Sequence, residues 1–223
     1  MKTINIAIDG PAGAGKSTIA KMVSAKLGYI YVDTGALYRA AALYITENGI
    51  PDEDIEKSLE NADISLKFID GTQRVFVGDK DVSDLIRTPE ISMAASRTSA
   101  IPAVRAYLFE TQKKIARENN VIMDGRDIGT VVLPDAEVKI FLTASAEERA
   151  NRRYKELSVK PDCPPYEDIL KDIIQRDYQD MNRETSPLRQ AEDAILVDTT
   201  ELNLEQSADE IVRIISERTA GEI

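Results

Sequence analysis

Short apolar runs alternate along this chain with longer segments in which apolar residues recur every three or four positions. Continuous apolar runs of this length are typical of buried parallel strands, and the longer periodicity is typical of amphipathic helices. The pattern therefore predicts an α/β fold: a parallel five-stranded sheet flanked by helices, with ligands at the carboxyl ends of the strands. The predicted strands are residues 4–9, 29–32, 121–124, 138–142 and 194–198.

Helical periodicity fills most of the remaining chain. The predicted helices are residues 19–27, 36–48, 53–62, 102–119, 146–157, 166–182 and 204–218, with a Pro-rich loop at 158–165. Between residues 64 and 82 the period changes, because Ile64, Leu66 and Phe68 alternate with polar residues and the pair Asp70-Gly71 is a hairpin turn signal. This segment is predicted to be a small antiparallel β insert.

A glycine-rich loop joins the first predicted strand to the first predicted helix. Its sequence, GPAGAGKST, fits the G-x-x-x-x-G-K-[ST] pattern, whose backbone N–H groups and helix N-terminus form a nest for phosphates. Lys16 can reach the β- and γ-phosphates of a nucleotide, and the Ser17 hydroxyl can ligate Mg²⁺. The predicted ATP-binding loop comprises Gly10, Pro11, Ala12, Gly13, Ala14, Gly15, Lys16, Ser17 and Thr18.

Composition narrows the chemistry that this chain can perform. The 223 residues contain no histidine and one cysteine, Cys163, which excludes His-based catalysis, an internal disulfide and a Cys-based metal cluster. A lone cysteine, the lack of a leader sequence and the lack of an apolar stretch near ~20 residues predict a cytoplasmic protein without a membrane span. The net charge of −11 argues against a broad nucleic-acid interface.

The segments outside the loop distinguish among P-loop proteins. The chain has no Asn-Lys-x-Asp string of the kind that reads guanine in GTPases, and the strand ending at Met123 is followed by Asp-Gly-Arg-Asp rather than by the Asp-Glu of many ATPases. A P-loop protein that lacks this water-activating Glu and carries grouped arginines is predicted to be a phosphotransferase.

Several arginines occur at helical spacing. Arg176, Asp180 and Arg183 are spaced to share one side of a helix, and Arg149 and Arg153 share another. Both groups could equally be solvated faces with ion pairs. Arg39 and Arg105 could bind an anion or simply cover the surface.

Several longer motifs closely resemble those of bacterial cytidylate kinases, and the resemblance covers nearly the whole chain, including the β insert. The matching motifs are Asp33-Thr34-Gly35-Ala36-Leu37-Tyr38-Arg39, Ala94-Ala95-Ser96, Val104-Arg105, residues 124–132 (DGRDIGTVV) and the Arg176-Asp177 to Asn182-Arg183 segment. The resemblance implies the reaction ATP + CMP ⇌ ADP + CDP, with dCMP also accepted, Mg²⁺ as cofactor and a monomeric protein.

The resemblance also assigns roles by position. It implies catalytic roles for Lys16, Arg126, Arg153 and Arg183, ATP contacts for Arg149 and Arg153, and Mg²⁺ binding by Ser17. The implied CMP-binding residues are Thr34, Arg39, Ser96, Arg105, Arg126, Asp127, Arg176 and Asp180. It further implies one kinase domain with a core at about 1–35, 86–150 and 184–223, an acceptor-binding region at about 36–85 and a lid at about 151–166.

Two other functions fit parts of the same pattern. One is a small-molecule kinase acting on a metabolite hydroxyl, which would need Asp33 or Asp124 as a base. The other is a nucleotide-gated binding protein without turnover. Assays with ATP and a panel of acceptors separate all three.

Overall fold

The computed structural model of this chain describes residues 3–69, 72–159 and 163–220. It divides into two compact units, the first made of Met1–Tyr31 and Asn119–Ile223 and the second of Val32–Glu118. The Asp70-Gly71 turn signal and part of the predicted Pro-rich loop, including Pro161, lie outside the described residues. In the described ranges, no helix combines the length and the apolar composition needed to cross a membrane.

Strands and helices alternate as the apolar pattern predicts. Within the described residues the strands are β1 (Asn5–Asp9), β2 (Ile30–Asp33), β3 (Ile64–Ile69), β4 (Thr72–Val77), β5 (Lys80–Asp81), β6 (Val121–Gly125), β7 (Val138–Thr143) and β8 (Ile195–Asp198). The α-helices are α1 (Lys16–Leu27), α2 (Thr34–Glu47), α3 (Ile55–Leu59), α4 (Pro89–Thr98), α5 (Pro102–Glu118), α6 (Ala146–Leu157), α7 (Tyr166–Asn182) and α8 (Leu204–Thr219).

A five-stranded sheet forms the centre of the first unit, with the strand order β2-β6-β1-β7-β8. β1 pairs in parallel with both β6 and β7, and β7 pairs in parallel with β8. Ile6 and Ile8 of β1 are fully buried and pack in one cluster with Ile19 of α1 and Ile211 of α8. Because the strands are parallel, their carboxyl ends lie at one edge of the sheet, where the loops after β1 and β6 begin.

The second unit contains the predicted antiparallel insert, with the order β3-β4-β5. Leu37 of α2, Ile55 of α3 and Leu108 of α5 are buried in its core beside Ile64 of β3. Helix α4 was not predicted, although its start carries two helix signals: the Thr88 side chain accepts a hydrogen bond from the Ile91 N–H, and Pro89 occupies the first turn.

The loop after β1 requires glycine for two separate reasons. Gly10, Gly13 and Gly15 all have positive φ, the conformation that L side chains rarely adopt. At Gly10 there is also no space, since a Cβ there would lie 1.9 Å from the carbonyl oxygen of Leu142 on β7. The backbone of the loop therefore packs directly against a neighbouring strand.

A five-residue π-helical turn, Ile128–Val132, follows β6. The sequence indicated a motif here but no helix. The N–H groups of Val131 and Val132 both donate to the carbonyl oxygen of Asp127, at 2.9 and 3.2 Å. Single π turns are rare and often lie at functional sites, which agrees with the position of this turn against β1, the strand that leads into the glycine-rich loop.

Substitution of Gly10 by alanine should destabilise the protein more than the same substitution at Gly28. Both glycines have positive φ, so each substitution carries a backbone cost of about 1–3 kcal/mol. Only at Gly10 does the new Cβ meet backbone, because nothing lies within 4 Å of the Cβ position at Gly28. We expect Gly10→Ala to lose a further ~1–3 kcal/mol in urea unfolding. Equal losses for the two variants would contradict the close packing of the loop.

Candidate active site

Lys16 opens helix α1 and is almost completely buried. Its Nζ donates hydrogen bonds to the carbonyl oxygens of Gly10, at 2.8 Å, and Pro11, at 2.7 Å. Burial and, to a smaller extent, the nearby charge of Arg126 lower the pKa of Lys16 to about 7, against the opposing effect of Asp124, Asp9 and Asp180. The lysine thus lies inside its own loop, within range of a second cation, where an anionic ligand would stabilise its charged form.

Ser17, which is predicted to bind Mg²⁺, contacts the carboxylate of Asp124, a residue that the sequence suggests as a possible base. The Ser17 hydroxyl donates to Asp124 Oδ2 at 2.8 Å, and the Tyr31 hydroxyl donates to Asp124 Oδ1 at 3.0 Å. A P-loop hydroxyl beside an Asp from a neighbouring strand is the oxygen donor set that holds Mg²⁺ in P-loop proteins.

The same donor set suits Mg²⁺ rather than a protein-enclosed metal. Among the described residues no group of three or more His, Cys, Asp or Glu side chains could hold an ion by itself. Magnesium usually takes one or two protein oxygens and completes its shell with substrate phosphates and water. Ser17 and Asp124 fit that pattern.

Arg126, directly after β6, pairs with helix α7. Its Nε donates to Asp180 Oδ2 at 2.7 Å, and both side chains are mostly buried. Asp180 is therefore bound to Arg126 across the sheet edge. Arg176, one turn earlier on α7, is exposed.

The expectation that Arg183 continues the helix face of Asp180 was wrong, because α7 ends at Asn182 and Arg183 has an extended backbone. Its Nε donates to the carbonyl oxygen of Ser186 at 2.7 Å, and its guanidinium lies 3.9 Å from Asp127 Oδ1. Arg183 and Asp127 are thus brought together by the turn after the helix rather than by helical spacing.

Arg149 of α6 braces the glycine-rich loop. Its guanidinium donates to the carbonyl oxygen of Ala12 at 3.0 Å. It also forms a bidentate ion pair with Asp177 of α7, with hydrogen bonds of 3.0 and 2.7 Å. Its aliphatic part lies against Gly13, where a Cβ would be 3.4 Å from the Arg149 Cβ. Arg153, predicted to act with it, is exposed and donates to Glu156 at 3.0 Å.

Three further residues of this unit were missed as site residues. Asp124 and Asp177 hold Ser17 and Arg149, while Arg152 lies beside Gly15 and donates to the carbonyl oxygen of Thr199 at 2.6 Å. Asp124 carried a usable signal, an Asp directly after a buried strand. The only sequence signal for Asp177 and Arg152 was that each lies next to a predicted site residue, Arg176 and Arg153. Their partners Arg149 and Thr199 are distant in sequence.

The second unit holds four of the predicted acceptor-binding residues. Asp33 caps helix α2 by accepting from the Ala36 N–H at 2.9 Å and also accepts from Arg39 Nη2 at 3.0 Å. Arg39 Nε is buried without a hydrogen-bond partner, which leaves one donor of the guanidinium unused. Thr34 is buried at the start of the same helix.

Arg105 and Ser96 complete this set in the second unit. Arg105 of α5 is buried, lies 5.7 Å from the ring centre of Tyr38, and donates to the carbonyl oxygen of Ser99 at 3.4 Å. Ser96 is half-buried on helix α4. The unit thus presents two arginines and two hydroxyl-bearing side chains, a donor set that suits an anionic, hydrogen-bonding ligand.

A parallel sheet, a glycine-rich loop and a lysine buried in that loop define a P-loop protein, and the arginines gathered near the lysine indicate a phosphotransferase within that class. The family model described as cytidylate kinase matches residues 6–217. The chain therefore belongs to the cytidylate kinase family, whose members are nucleoside monophosphate kinases.

Curated relatives agree with this assignment, and a solved structure agrees with the fold. The chain is 51% identical to a cytidylate kinase from Caldicellulosiruptor saccharolyticus, over the full length of both chains. It is 52% identical to one from Caldanaerobacter subterraneus subsp. tengcongensis, covering 99% of this chain and 98% of that one. An uncharacterised protein from Eubacterium ventriosum shares the fold, with a TM-score of 0.55 at 13% identity and coverage of 97% and 99%.

Binding of ATP at pH 8 should be accompanied by proton uptake at Lys16. With a pKa of about 7, this lysine is mostly neutral at pH 8 in the free protein, and adjacent phosphates raise its pKa because they favour the charged form. Phosphate monoesters, with a second pKa near 6, are already ionised at this pH. Calorimetric titrations in buffers of different ionisation enthalpy should show uptake approaching one proton.

The matched variant for this measurement is Lys16→Arg, whose guanidinium stays charged at pH 8. We expect it to bind ATP with little or no proton uptake. If the natural protein takes up no proton, or if both proteins take up the same number, Lys16 does not have the lowered pKa that its burial implies.

Proposed function

We propose that this protein transfers the γ-phosphoryl group of ATP to CMP and to dCMP, giving ADP with CDP or dCDP. Membership of the cytidylate kinase family supports the reaction with CMP over the two alternatives. The observation that carries the proposal is the presence of Lys16 and Arg126 at the carboxyl edge of the sheet, where the charge of Arg126 lowers the pKa of Lys16. A buried lysine and a partly buried arginine whose charges repel are best balanced by bound phosphates.

The chemistry needs positioning and positive charge rather than a base. The transition state spreads negative charge over the equatorial oxygens of the transferred group, and the acceptor oxygen of a nucleoside monophosphate is already anionic. A chain without histidine can therefore perform the reaction. In the proposal, residues 10–18 hold the ATP phosphates, and the catalytic cations are Lys16, Arg126, Arg153 and Arg183.

Arginine partners in the free protein indicate how the ligands would be received. Arg126 is held by Asp180, and Arg39 by Asp33. A phosphate oxygen can replace a carboxylate as the acceptor of each guanidinium, because both accept two parallel N–H donors. We assign CMP contacts to Arg126, Asp127, Arg176 and Asp180 of the first unit and to Thr34, Arg39, Ser96 and Arg105 of the second.

Magnesium would be held by Ser17 and Asp124 together with the ATP phosphates. Bound Mg²⁺ supplies charge that neutralises the oxygens of the transferred phosphate. Tyr31 fixes the Asp124 carboxylate by its hydrogen bond, so that one oxygen of Asp124 faces Ser17.

A kinase acting on a metabolite hydroxyl is disfavoured by the state of the two candidate bases. Asp33 is occupied by the N–H of Ala36 and by Arg39, and Asp124 accepts from Ser17 and Tyr31. Both carboxylates are therefore already engaged by hydrogen-bond donors of the protein itself. For the nucleotide kinase, we assign ATP contacts to Arg149 and Arg153 and keep the predicted core, acceptor-binding region and lid. We also propose that the protein is monomeric and cytoplasmic.

An ADP-release assay with ATP-Mg²⁺ across acceptors tests the function. CMP and dCMP should give turnover well above UMP, AMP and GMP, and the same assay with metabolite alcohols should give none. Turnover with an alcohol but not with CMP would support the hydroxyl kinase instead. Binding of ATP without turnover of any acceptor would support a nucleotide-gated binding protein.

Replacement of Arg183 by alanine should collapse turnover while ATP binding stays nearly intact. Arg183 is not part of the glycine-rich loop: it follows α7, lies beside Asp127 and donates to the carbonyl oxygen of Ser186. Loss of one charge-stabilising donor typically costs on the order of 10²–10³ in rate. The measurements are kcat by coupled assay and the ATP dissociation constant by fluorescence titration.

A suitable control is Arg213→Ala, since Arg213 is an exposed arginine of α8 in ion pairs with Glu210 and Glu217. We expect its kcat to equal that of the natural protein. An unchanged kcat in Arg183→Ala would remove Arg183 from the catalytic group. A matching loss of ATP affinity would place it on the nucleotide instead.

A further inference from the structure

Asp9, the last residue of β1, is a buried carboxylate outside the residues assigned above. It is 5% exposed, and the residue after it, Gly10, begins the glycine-rich loop. Its two oxygens accept hydrogen bonds from two consecutive backbone N–H groups, that of Ile128 at 2.8 Å and that of Gly129 at 2.7 Å. Both donors belong to the start of the π-helical turn after β6.

The two N–H groups continue the segment that carries the proposed acceptor-binding residues. Arg126 and Asp127 immediately precede Ile128, and the carbonyl oxygen of Asp127 is held by the turn that Ile128 begins. A carboxylate with one oxygen on each N–H fixes both the distance and the direction of this backbone relative to β1. Among side chains of this size, only an ionised aspartate can accept at both oxygens, since asparagine offers one acceptor and one donor.

Packing around Gly129 leaves little room for the turn to adopt another position. A Cβ at Gly129 would lie 3.1 Å from Lys139 Cδ and 3.4 Å from Asp9 Oδ2. The turn therefore packs between the aliphatic part of Lys139 and the Asp9 carboxylate, and a side chain at position 129 would require one of these neighbours to shift.

We infer that Asp9 is a positioning residue for the phosphoryl acceptor: its carboxylate holds the Arg126-Asp127 segment in register with the glycine-rich loop. This inference rests on the proposed function. It explains why a carboxylate lies at the end of β1, where an apolar residue would be easier to bury. The loop that holds ATP and the segment that holds the acceptor phosphate are joined through one side chain.

Charges around Asp9 oppose one another. Burial is the main cause that raises the pKa of Asp9, and the nearby carboxylate of Asp127 adds to it, while the two N–H donors and the charge of Lys16 lower it; the resulting pKa is about 6. The Lys139 ammonium group, on the adjacent strand β7, is directed to Asp193. Asp9 is ionised at pH 8 and becomes protonated as the pH falls through about 6, which removes one of its two acceptors.

The experiment compares Asp9→Asn with Asp209→Asn at pH 8. Asp209→Asn is the control, because it makes the same replacement of a carboxylate by an amide in an exposed ion pair, that of Asp209 with Lys26. The measurements are kcat, KM for CMP, KM for ATP, ATP affinity by direct titration and the thermal unfolding midpoint. In the natural protein without nucleotides, the amide signals of Ile128 and Gly129 are also followed by NMR from pH 5 to pH 8.

We expect Asp9→Asn to lower kcat/KM for CMP on the order of 10- to 100-fold, since small misplacements of reacting groups have effects of this size. ATP affinity should stay within about twofold of the natural value, and Asp209→Asn should change neither quantity. The two amide signals should titrate together with a midpoint near pH 6, and this titration should disappear in Asp9→Asn.

Two results would overturn the inference. One is parallel loss of CMP kinetics, ATP affinity and thermal stability in Asp9→Asn, which indicates a purely structural carboxylate. The other is the absence of a shared titration at Ile128 and Gly129 in the natural protein, a result that does not depend on the folding of any variant. Since the NMR measurement uses no substrate, failure of CMP as acceptor would be recognised separately.

Discussion

Burial of Lys16 places a positive charge where water cannot solvate it. The surrounding groups of the first unit determine how far this desolvation is compensated. The lysine donates to two carbonyl oxygens of its own loop, while Asp9, Asp124 and Asp180 favour its charge and Arg126 opposes it. Desolvation dominates, so the pKa falls to about 7. A phosphate that enters the loop supplies the missing negative charge. The loop therefore has its strongest electrostatic preference for polyanionic ligands.

The arginines are also positive charges that are partly removed from water, but each is compensated by a carboxylate of the protein. Arg126 is paired with Asp180 and Arg149 with Asp177, both on one side of helix α7, and in the second unit Arg39 is paired with Asp33. Breaking a buried pair is strongly unfavourable unless a new partner takes its place. In the proposed function an incoming phosphate is that partner, so that ligand binding exchanges one acceptor of the arginine for another. Such an exchange discriminates against neutral ligands, which cannot compensate the released arginine.

Most secondary structure could be predicted because the apolar pattern and the helix stops are local. Helices α6 and α7 have the predicted bounds, and the β insert lies where the alternation of Ile64, Leu66 and Phe68 placed it. Helix α4 was missed although Thr88 and Pro89 signal its start. The π-helical turn after β6 could not be predicted, because the carboxylate that holds its first N–H groups is Asp9, more than a hundred residues earlier.

The sequence by itself determined the phosphate-binding loop, the parallel order of strands and helices and the absence of histidine chemistry, because spacing and residue type are properties of the chain. The family resemblance, also carried by the sequence, was confirmed by the comparisons. Tertiary structure alone decided which carboxylate each hydrogen-bond donor meets: Asp180 for Arg126, Asp177 for Arg149 and Asp124 for Ser17. These partners lie on different strands and helices, and only the packing of those elements brings them within hydrogen-bond distance.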